Sequence, residues 1–547
     1  MEDSLADKIK EYQKEAQERE AKRLAEKYHL PYLDLSIYPI DPEALRLLER
    51  ETVEKYKILP IYHTPRKVYF ALLDPTLKGA QEIIEEFKKQ GYEVKVFVVS
   101  QWAFEEVLKE REIGKKREEA IIERIEIEEK DLLEFKEKVK SLKELKDHID
   151  FLVKKGESPG KILKLILSCA INFEASDIHF EPKSDHLLLR YRLDGLLYEI
   201  AFLPLKIWNS LLLKLKVLSR MKINITDRPQ DGRFSIILPS REIEIRASCV
   251  PSQYGEMMVL RILDPQMIIL GLEKLGLEEE DLKILKKVIL SPNGLILNTG
   301  PTGSGKTTTF YAILNYLKSP EKKIITVEDP IEYRLEGIDQ TQVDPSSGYT
   351  FATALPSLLR HDPDIILVGE IRDEETAKIA LEASLTGHLV LSTLHTNDAC
   401  AAVPRLIDLK VPPKTIAASL KLVIAQRLVR RVCPKCSFEV FPKKEEIEKI
   451  KKFLKKEELK EIEKIKIKKV KGCPFCRFLG YKGRIGIFEL LLIDEDFQLQ
   501  IEKDPSYLAL LKLFEKKKLK SLTQDGILKV LKGITTLEEV ERVCGAI

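Results

Sequence analysis

The stretch Gly294–Leu317 reads GLILNTGPTGSGKTTTFYAILNYL and decides the fold of this 547-residue sequence. Its apolar run 295–297 predicts a buried strand, and the residues from Lys306 to about Leu317 predict a helix. Between them lies the pattern G-x-x-x-x-G-K-T, in the strand–loop–helix setting in which this pattern binds phosphate. We therefore predict a phosphate-binding loop at the edge of a parallel α/β sheet.

The residue types of this loop fit a nucleoside triphosphate with Mg²⁺. Glycines let successive backbone N–H groups point inward at phosphate oxygens, and the following helix adds its positive dipole end. Lys306 would reach the β- and γ-phosphates, and the Thr307 hydroxyl would ligate Mg²⁺. The alternative, a chance glycine-rich turn, is disfavoured because strand and helix are both in place. The predicted ATP-binding residues are Gly300, Pro301, Thr302, Gly303, Ser304, Gly305, Lys306, Thr307 and Thr308.

Two carboxylates follow apolar runs further along the chain. Glu328 ends the run 324–327, and Glu370 follows the run 365–368. The carboxyl ends of parallel strands share one edge of the sheet, so both side chains should lie near the phosphate loop. Because an unpaired carboxylate at a buried strand end is costly to desolvate, its presence there favours function. Capping of the next helix is the alternative, and it suits Asp373 and Glu374 better than Glu370.

Composition excludes several classes of protein. Of the residues, 44% are hydrophobic and 33% are charged, and 91 basic against 88 acidic residues give a net charge of +3. This near-balance offers no electrostatic basis for nucleic acid as a partner. No segment has the about 18–20 consecutive apolar residues of a membrane helix, and the acidic start is not a secretory signal. We expect a cytoplasmic protein that reaches a membrane only by docking to something embedded there.

Alternating strand and helix signals divide the chain into several domains. We predict a small α/β domain over 1–103, a charged helical linker over 104–158, a second domain over 159–268 and an ATPase domain over 269–547. Residues 5–28 are expected to be helical, and residues 443–470, rich in Lys, Glu, Ile and Leu, predict a charged surface helix pair inserted in a loop.

Two C-x-x-C pairs suggest a metal site near 430–490. Cys433 and Cys436 are separated from Cys473 and Cys476 by 36 intervening residues. Four thiolates at such spacing can bind tetrahedral Zn²⁺, and the Lys/Glu insertion accounts for the long spacer. A redox C-x-x-C is the alternative, but it predicts one active pair and a thioredoxin-like context. We favour structural zinc.

The order of further motifs resembles the secretion and pilus-assembly ATPases of the type II secretion and type IV pilus systems. Segments 175–182, 229–233 and 254–263 resemble landmarks of that family's second domain. Segments 326–333, 369–373 and 386–398 are similar to its aspartate box, Walker B segment and histidine box. The tetracysteine pattern also occurs in its assembly ATPases.

The resemblance implies a fold: a RecA-like C-terminal domain with a parallel central sheet, a PAS-like α+β domain before it, and a zinc-binding subdomain. It also implies roles for individual residues. Glu328 would orient or deprotonate the attacking water, and Glu370 would act at Mg²⁺ through a coordinated water. His395 and His388 would sense the γ-phosphate. Arg233 and Arg246, from the second domain, would neutralise charge in the transition state.

The resemblance further implies a homo-hexamer at the inner face of the cytoplasmic membrane, where domain rotation moves an inner-membrane platform protein. Residues 29–99 look like the family's recruitment domain, which in some relatives binds a cyclic dinucleotide through paired arginine-rich motifs. No convincing pair is visible here, so docking to a cytosolic or membrane-anchored partner is expected.

Three alternatives to a pilus-assembly motor remain open. A type II secretion motor would share the same engine. A non-hydrolysing nucleotide switch predicts loss of Glu328 or Glu370, and both are present. A nucleic-acid translocase conflicts with the near-zero net charge.

Overall fold

A computed structural model describes residues 16–35, 50–64, 66–105, 124–127, 138–265, 271–454 and 465–547, with isolated positions between them. The chain forms two compact units, Met1–Glu123 and Arg124–Ile547. No helix in the described part of the chain has both the length and the apolar character that crossing a bilayer requires.

The first unit is a small α/β fold, as predicted. Its three-stranded sheet has the order β1-β2-β3, with β1 and β2 antiparallel and β2 and β3 parallel. Alternate side chains enter two cores: Ile58 and Phe70 lie on one face, and Leu59 and Ala71 on the other. Residues 16–27 are helical, and the rest of the predicted helix 5–28 lies largely outside the described residues. The elements are α1 (Arg50–Tyr56), β1 (Ile58–Thr64), β2 (Lys67–Leu72), α2 (Lys78–Lys89) and β3 (Glu93–Val98).

The second unit begins with a seven-stranded sheet, here called the mixed sheet. Its order is β4-β8-β9-β10-β5-β6-β7, and all neighbours are antiparallel except the parallel pair β4 and β8. The strands are β4 (Arg124–Glu126), β5 (Asp177–Pro182), β6 (His186–Leu193), β7 (Leu196–Pro204), β8 (Gln230–Leu238), β9 (Arg241–Ser252) and β10 (Gly255–Leu263).

Three helices share one core with this sheet: α3 (Leu142–Lys154), α4 (Pro159–Asn172) and α5 (Leu205–Leu218). Helix α4 begins where the Ser158 hydroxyl accepts a hydrogen bond from the Lys161 N–H at 3.4 Å, with proline in the first turn. The structure differs from the predicted linker over 104–158, because β4 joins the sheet and α3 buries Leu145 and Ile149 in its core. The prediction of a linker relied on the many charged residues of this segment and overlooked the apolar residues that lie on one face of α3.

The central sheet has seven strands in the order β13-β12-β14-β15-β11-β16-β19. Every neighbouring pair is parallel except β16 and β19, so the predicted parallel α/β fold is confirmed. The strands are β11 (Gly294–Thr299), β12 (Ile324–Glu328), β13 (Asp339–Gln342), β14 (Ile365–Val368), β15 (Leu389–Leu394), β16 (Leu420–Val432) and β19 (Tyr481–Leu492).

Both faces of the central sheet are covered, which explains why its inner strands β11, β12, β14 and β15 are buried along their whole length. Leu295 and Leu297 enter one core and Ile296 enters the other. The helices of this part of the chain are α6 (Glu279–Ile289), α7 (Lys306–Leu317), α8 (Phe351–Leu359), α9 (Glu374–Leu385), α10 (Ala402–Asp408), α11 (Pro413–Ser419), α12 (Lys444–Lys451), α13 (Glu495–Lys503), α14 (Tyr507–Lys516), α15 (Leu522–Leu531) and α16 (Leu537–Cys544).

The predicted helix pair over 443–470 is wrong in its second half. Helix α12 forms, but β18 (Ile467–Val470) pairs antiparallel with β17 (Ser437–Val440). Only Ile467 of β18 is buried, so the strand is defined by its pairing with β17 rather than by an alternating pattern of burial. Residues 455–464 lie outside the described part of the chain.

Candidate active site and metal centre

The carboxyl ends of four neighbouring strands, β12, β14, β15 and β11, form one edge of the central sheet. Glu328 is the last residue of β12, Glu370 follows β14, His395 follows β15, and the phosphate loop follows β11. The structure therefore brings these four predicted features to the same edge.

The predicted phosphate-binding residues form a tight turn between β11 and α7. Gly300, Gly303 and Gly305 have φ angles of 155°, 77° and 91°, in the region that favours glycine. A Cβ atom on Gly300 would lie 2.6 Å from the Gln426 carbonyl oxygen, so the close approach itself requires glycine. Pro301, Thr302 and Gly303 are exposed, Ser304 is buried, and Thr307 and Thr308 are half-buried in the first turn of α7.

Lys306 is folded onto its own loop. Its Nζ donates hydrogen bonds to the carbonyl oxygens of Gly300 at 2.7 Å and Pro301 at 3.2 Å. Burial lowers the pKa of Lys306 to about 8, against the opposing effect of the Glu370 carboxylate. Phosphate oxygens could replace these two carbonyl acceptors and would favour the charged ammonium.

Glu328 is a buried carboxylate, 4% exposed, with three donors. The Tyr311 hydroxyl donates to one oxygen, and Thr326 Oγ1 at 2.6 Å and Gln340 Nε2 at 3.1 Å donate to the other. Burial raises the pKa of Glu328, while the three hydrogen bonds oppose the shift by stabilising the ionised form. The ring of Tyr333 packs edge-on against Tyr311, with centroids 4.5 Å apart.

Glu370 lies between Arg372 and His395 at the same edge. Arg372 forms an ion pair with it, and His395 Nε2 lies 3.4 Å from its other oxygen. The side chain of His395 is 52% exposed, so it faces the open side of the edge. Asp373 instead caps α9, since its carboxylate accepts from the Thr376 N–H at 2.8 Å, as the capping alternative predicted.

The structure does not bring His388, the second predicted histidine, to this edge. Gly294 pairs with Leu389 and Thr299 pairs with Leu394, so His388 precedes β15 at the opposite edge of the sheet. Five residues of strand separate the edges by about 17 Å. There His388 Nδ1 donates to the Ala383 carbonyl oxygen at 3.0 Å, which is a structural contact.

The two second-domain arginines occupy opposed positions on β8 and β9, where Arg233 pairs with Arg246. Arg246 donates a hydrogen bond to the carbonyl oxygen of Ile331 and lies 3.5 Å from the Glu332 carboxylate. These contacts reach the segment that directly follows Glu328. The side chain of Arg233 is exposed and makes no hydrogen bond or ion pair with another described residue.

Residues to which the sequence assigned no role hold the strands and the helix that flank the phosphate loop. Asn298, for which the sequence offered no role, donates to Gln426 Oε1 at 2.9 Å, and Thr309 Oγ1 donates to the same oxygen at 2.8 Å. Arg427 donates to the carbonyl oxygen of Asn397 at 2.7 Å in the histidine-box loop. The local signal was a polar residue, Asn298, after the apolar run of β11, but its pairing with Gln426 spans 128 positions.

The four cysteines of the C-x-x-C pairs meet in one cluster, with all sulfur atoms within 4.8 Å of one another. The Sγ atoms of Cys433 and Cys473 are 3.8 Å apart, and those of Cys436 and Cys476 are 3.6 Å apart. All four are free thiols. Tetrahedral Zn²⁺ with Zn–S bonds of about 2.3 Å puts its sulfur ligands about 3.8 Å apart.

Backbone donors around the cluster also suit thiolate ligands. The N–H groups of Cys473 and Gly480 donate to Cys476 Sγ at 3.2 and 3.3 Å, an outer-shell pattern that stabilises negative sulfur. The residues present therefore fit zinc. They do not fit a single redox pair, because both C-x-x-C motifs converge on one point.

Comparisons with known proteins cover most of the chain. The sequence profile of the family described as "Type II/IV secretion system protein" matches residues 154–542, and that of the "MshEN domain" matches residues 28–118. The type II secretion system protein E of Dickeya dadantii is 46% identical over 403 residues, covering 73% of this chain and 78% of that protein. The resemblance drawn from the motifs is confirmed.

A pilus protein and a solved structure extend the comparison. The type IV pilus assembly ATPase PilB of Acinetobacter baylyi is 38% identical over 519 residues, covering 94% of this chain and 86% of that protein. The X-ray structure of the Legionella pneumophila ATPase DotB matches with a TM-score of 0.51 at 21% identity, covering 70% of this chain and 95% of that chain. That likeness concerns the fold alone.

Replacing Cys473 and Cys476 together by Ser should remove zinc and lower the melting temperature of the second unit by several degrees. Structural zinc contributes about 10–16 kcal/mol of apparent binding energy in small zinc domains, most of it stabilising the folded state. Elemental analysis of the purified wild type should give one zinc per chain. Calorimetry measures the stability. Cys544→Ser, a cysteine outside the cluster, should keep the metal; a metal-free wild type with the same melting profile would contradict the site.

Proposed function

We propose that this chain, which belongs to the family of type II/IV secretion system proteins, binds Mg·ATP at loop 300–308. Hydrolysis of this ATP would drive assembly of a type IV pilus. The observation that carries this proposal is the convergence of Lys306, Glu328 and Glu370 at one edge of the central sheet. Phosphoryl transfer to water needs little more than positioning and charge at such an edge.

In the proposed mechanism each group has one task. The loop N–H groups and Lys306 hold the β- and γ-phosphates. Thr307 would hold Mg²⁺ directly and Glu370 would hold it through a water, and the bound ion would supply positive charge to the transferred phosphoryl group. Glu328 orients and deprotonates the attacking water. His395, beside Glu370, senses the γ-phosphate.

Positive charge from outside the central sheet completes the site. Two carboxylates and a triphosphate repel one another, and a buried lysine offsets only part of that charge. Arg246 already contacts the segment after Glu328, and Arg233 beside it is free to turn toward the phosphates. We propose that rotation of the second domain delivers both arginines within a homo-hexamer and moves an inner-membrane platform protein.

A type II secretion motor is the second candidate. The 46% identity to a type II secretion protein favours it, whereas coverage of 94% of this chain by a pilus-assembly relative, including the first unit, favours the pilus. We choose the pilus because specificity within such a family lies in the surfaces that dock partners rather than in the ATPase site.

Deleting the gene in its source organism should therefore remove surface pili and leave the set of secreted proteins unchanged. Electron microscopy counts the pili, and mass spectrometry of the culture medium measures secretion. Loss of secreted proteins with normal pili would assign the chain to type II secretion.

Changing Glu328 to Gln should lower steady-state phosphate release by a factor of about 10²–10⁴, the usual contribution of a general base, while ATP still binds. The matched control is Glu336→Gln, which changes an exposed carboxylate eight residues after Glu328 and should keep full turnover. Lys306→Ala should lose ATP binding. If the wild type releases phosphate no faster than Glu328→Gln, with or without the platform protein, the chain is a nucleotide switch and not a motor.

Changing Tyr311 to Phe should move the acidic limb of the kcat–pH profile to higher pH. Glu328 must be ionised to accept a proton, and the Tyr311 hydroxyl stabilises the ionised form, so its removal raises the pKa of Glu328 further. A hydrogen bond to a charged group contributes about 1.5–3 kcal/mol, so turnover on that limb should fall on the order of tenfold.

The matched control is Tyr316→Phe, on an exposed position of the same helix. It should leave the profile unchanged. An equal shift in both variants, or none in Tyr311→Phe, would mean that Tyr311 does not tune Glu328.

A further inference from the structure

A cavity of about 810 Å³ opens between the mixed sheet and the loops that hold the cysteine cluster. One wall comes from the end of α4 with Glu174 and from the β8–β9 turn with Leu238 and Arg241. The facing wall comes from the cysteine loops, which contribute Lys435, Pro474, Phe475, Arg477 and Lys482. Its volume lies in the range of small-molecule sites, about 300–1,000 Å³.

Cations outnumber carboxylates in this cavity. Both carboxylates are already partnered: Asp264 accepts two hydrogen bonds from Arg241, at 3.0 and 2.7 Å, and Glu174 lies 3.7 Å from Lys482. The other three lining cations, Lys140, Lys435 and Arg477, have no ion pair with a carboxylate among the described residues.

Three of the lining cations lie beside aromatic rings. The Nζ atoms of Lys435 and Lys482 lie 4.5 and 4.7 Å from the centroid of the Phe475 ring. Arg477 donates to the Asn172 carbonyl oxygen at 2.7 Å, and its guanidinium lies 4.7 Å from the centroid of the Phe173 ring. Lys140, Lys435 and Arg477 therefore give the cavity an excess of positive charge, which a bound anion would offset.

The backbone at the rim of the cavity turns sharply. Glu174, which follows helix α4, and Arg477, which closes the turn after Cys476, have φ angles of 58° and 55°, a left-handed conformation that often ends a helix or turn. The ring of Phe475 stays 39% exposed beside these groups, although burial would stabilise it.

We propose that this cavity binds a phosphate-bearing organic anion of nucleotide size. Its phosphates would contact Lys140, Lys435 and Arg477, and its flat apolar part would lie against Phe475. None of these residues belongs to loop 300–308, so the site is separate from the proposed ATPase site. A bound ligand would tie the mixed sheet to the cysteine cluster and thus restrict their relative motion.

The test uses ADP as the probe and the full-length chain with Lys306→Ala, which disables the phosphate loop. Equilibrium dialysis should give one bound ADP per chain. Adding Lys140→Ala and Lys435→Ala should weaken binding at least tenfold, because two phosphate contacts are lost. The control pair Lys154→Ala and Lys471→Ala removes the same charge from positions that do not line the cavity and should leave affinity unchanged.

Inorganic pyrophosphate should displace the bound ADP, because the phosphates carry the charge that the cavity attracts. The proposal is overturned if the Lys306→Ala chain binds no ADP, if pyrophosphate does not compete, or if both double variants bind equally. This binding test does not depend on ATP hydrolysis by the wild type, so its outcome is independent of the tests of the proposed motor.

Discussion

Parallel alignment of β12, β14, β15 and β11 is the constraint on which the candidate site depends, because it fixes where every functional group can lie. Strand ends deliver carboxylates and a ring of amide donors to one edge, but they also bury charge. Glu328 remains tolerable there only because three donors satisfy it, and Glu370 because Arg372 and His395 adjoin it. The hydrogen bonds and ion pairs around the two carboxylates are therefore required by the position that the sheet gives these side chains.

The same alignment leaves this edge of the sheet with too little positive charge for a triphosphate. A triphosphate would enter an edge that already holds two carboxylates, and the pKa of its one buried lysine is lowered by burial. In the proposed mechanism Mg²⁺ and Lys306 offset part of the negative charge, and arginines of the mixed sheet would supply the rest; Arg246 already lies at the segment after Glu328. On that proposal, charge balance couples the two layers, and this coupling turns hydrolysis into movement.

Sequence predicted the elements whose signals are local. β14 starts and stops at the predicted residues 365 and 368, because four apolar residues between Asp364 and Gly369 leave no other choice. It failed where the answer depends on direction or on distant pairing. His388 and His395 belong to one motif, yet β15 runs between them and separates them to opposite edges. β18 was mistaken for helix because its identity is set by pairing with β17, some thirty residues away in sequence.

Strand β16 explains why the missed polar residues matter beyond the loop. Gln426 holds Asn298 and α7 beneath the phosphate loop, and Arg427 next to it ties the histidine-box loop. Further along, Arg430 bonds to the Tyr198 hydroxyl of the mixed sheet at 3.0 Å, and the strand ends at the first cysteine of the metal cluster. Backbone pairing to β11 and β19 on both sides makes this strand stiff. One element therefore contacts the nucleotide loop, the mixed sheet and the metal centre, and its link to the mixed sheet is a side-chain hydrogen bond that the proposed domain rotation would have to break.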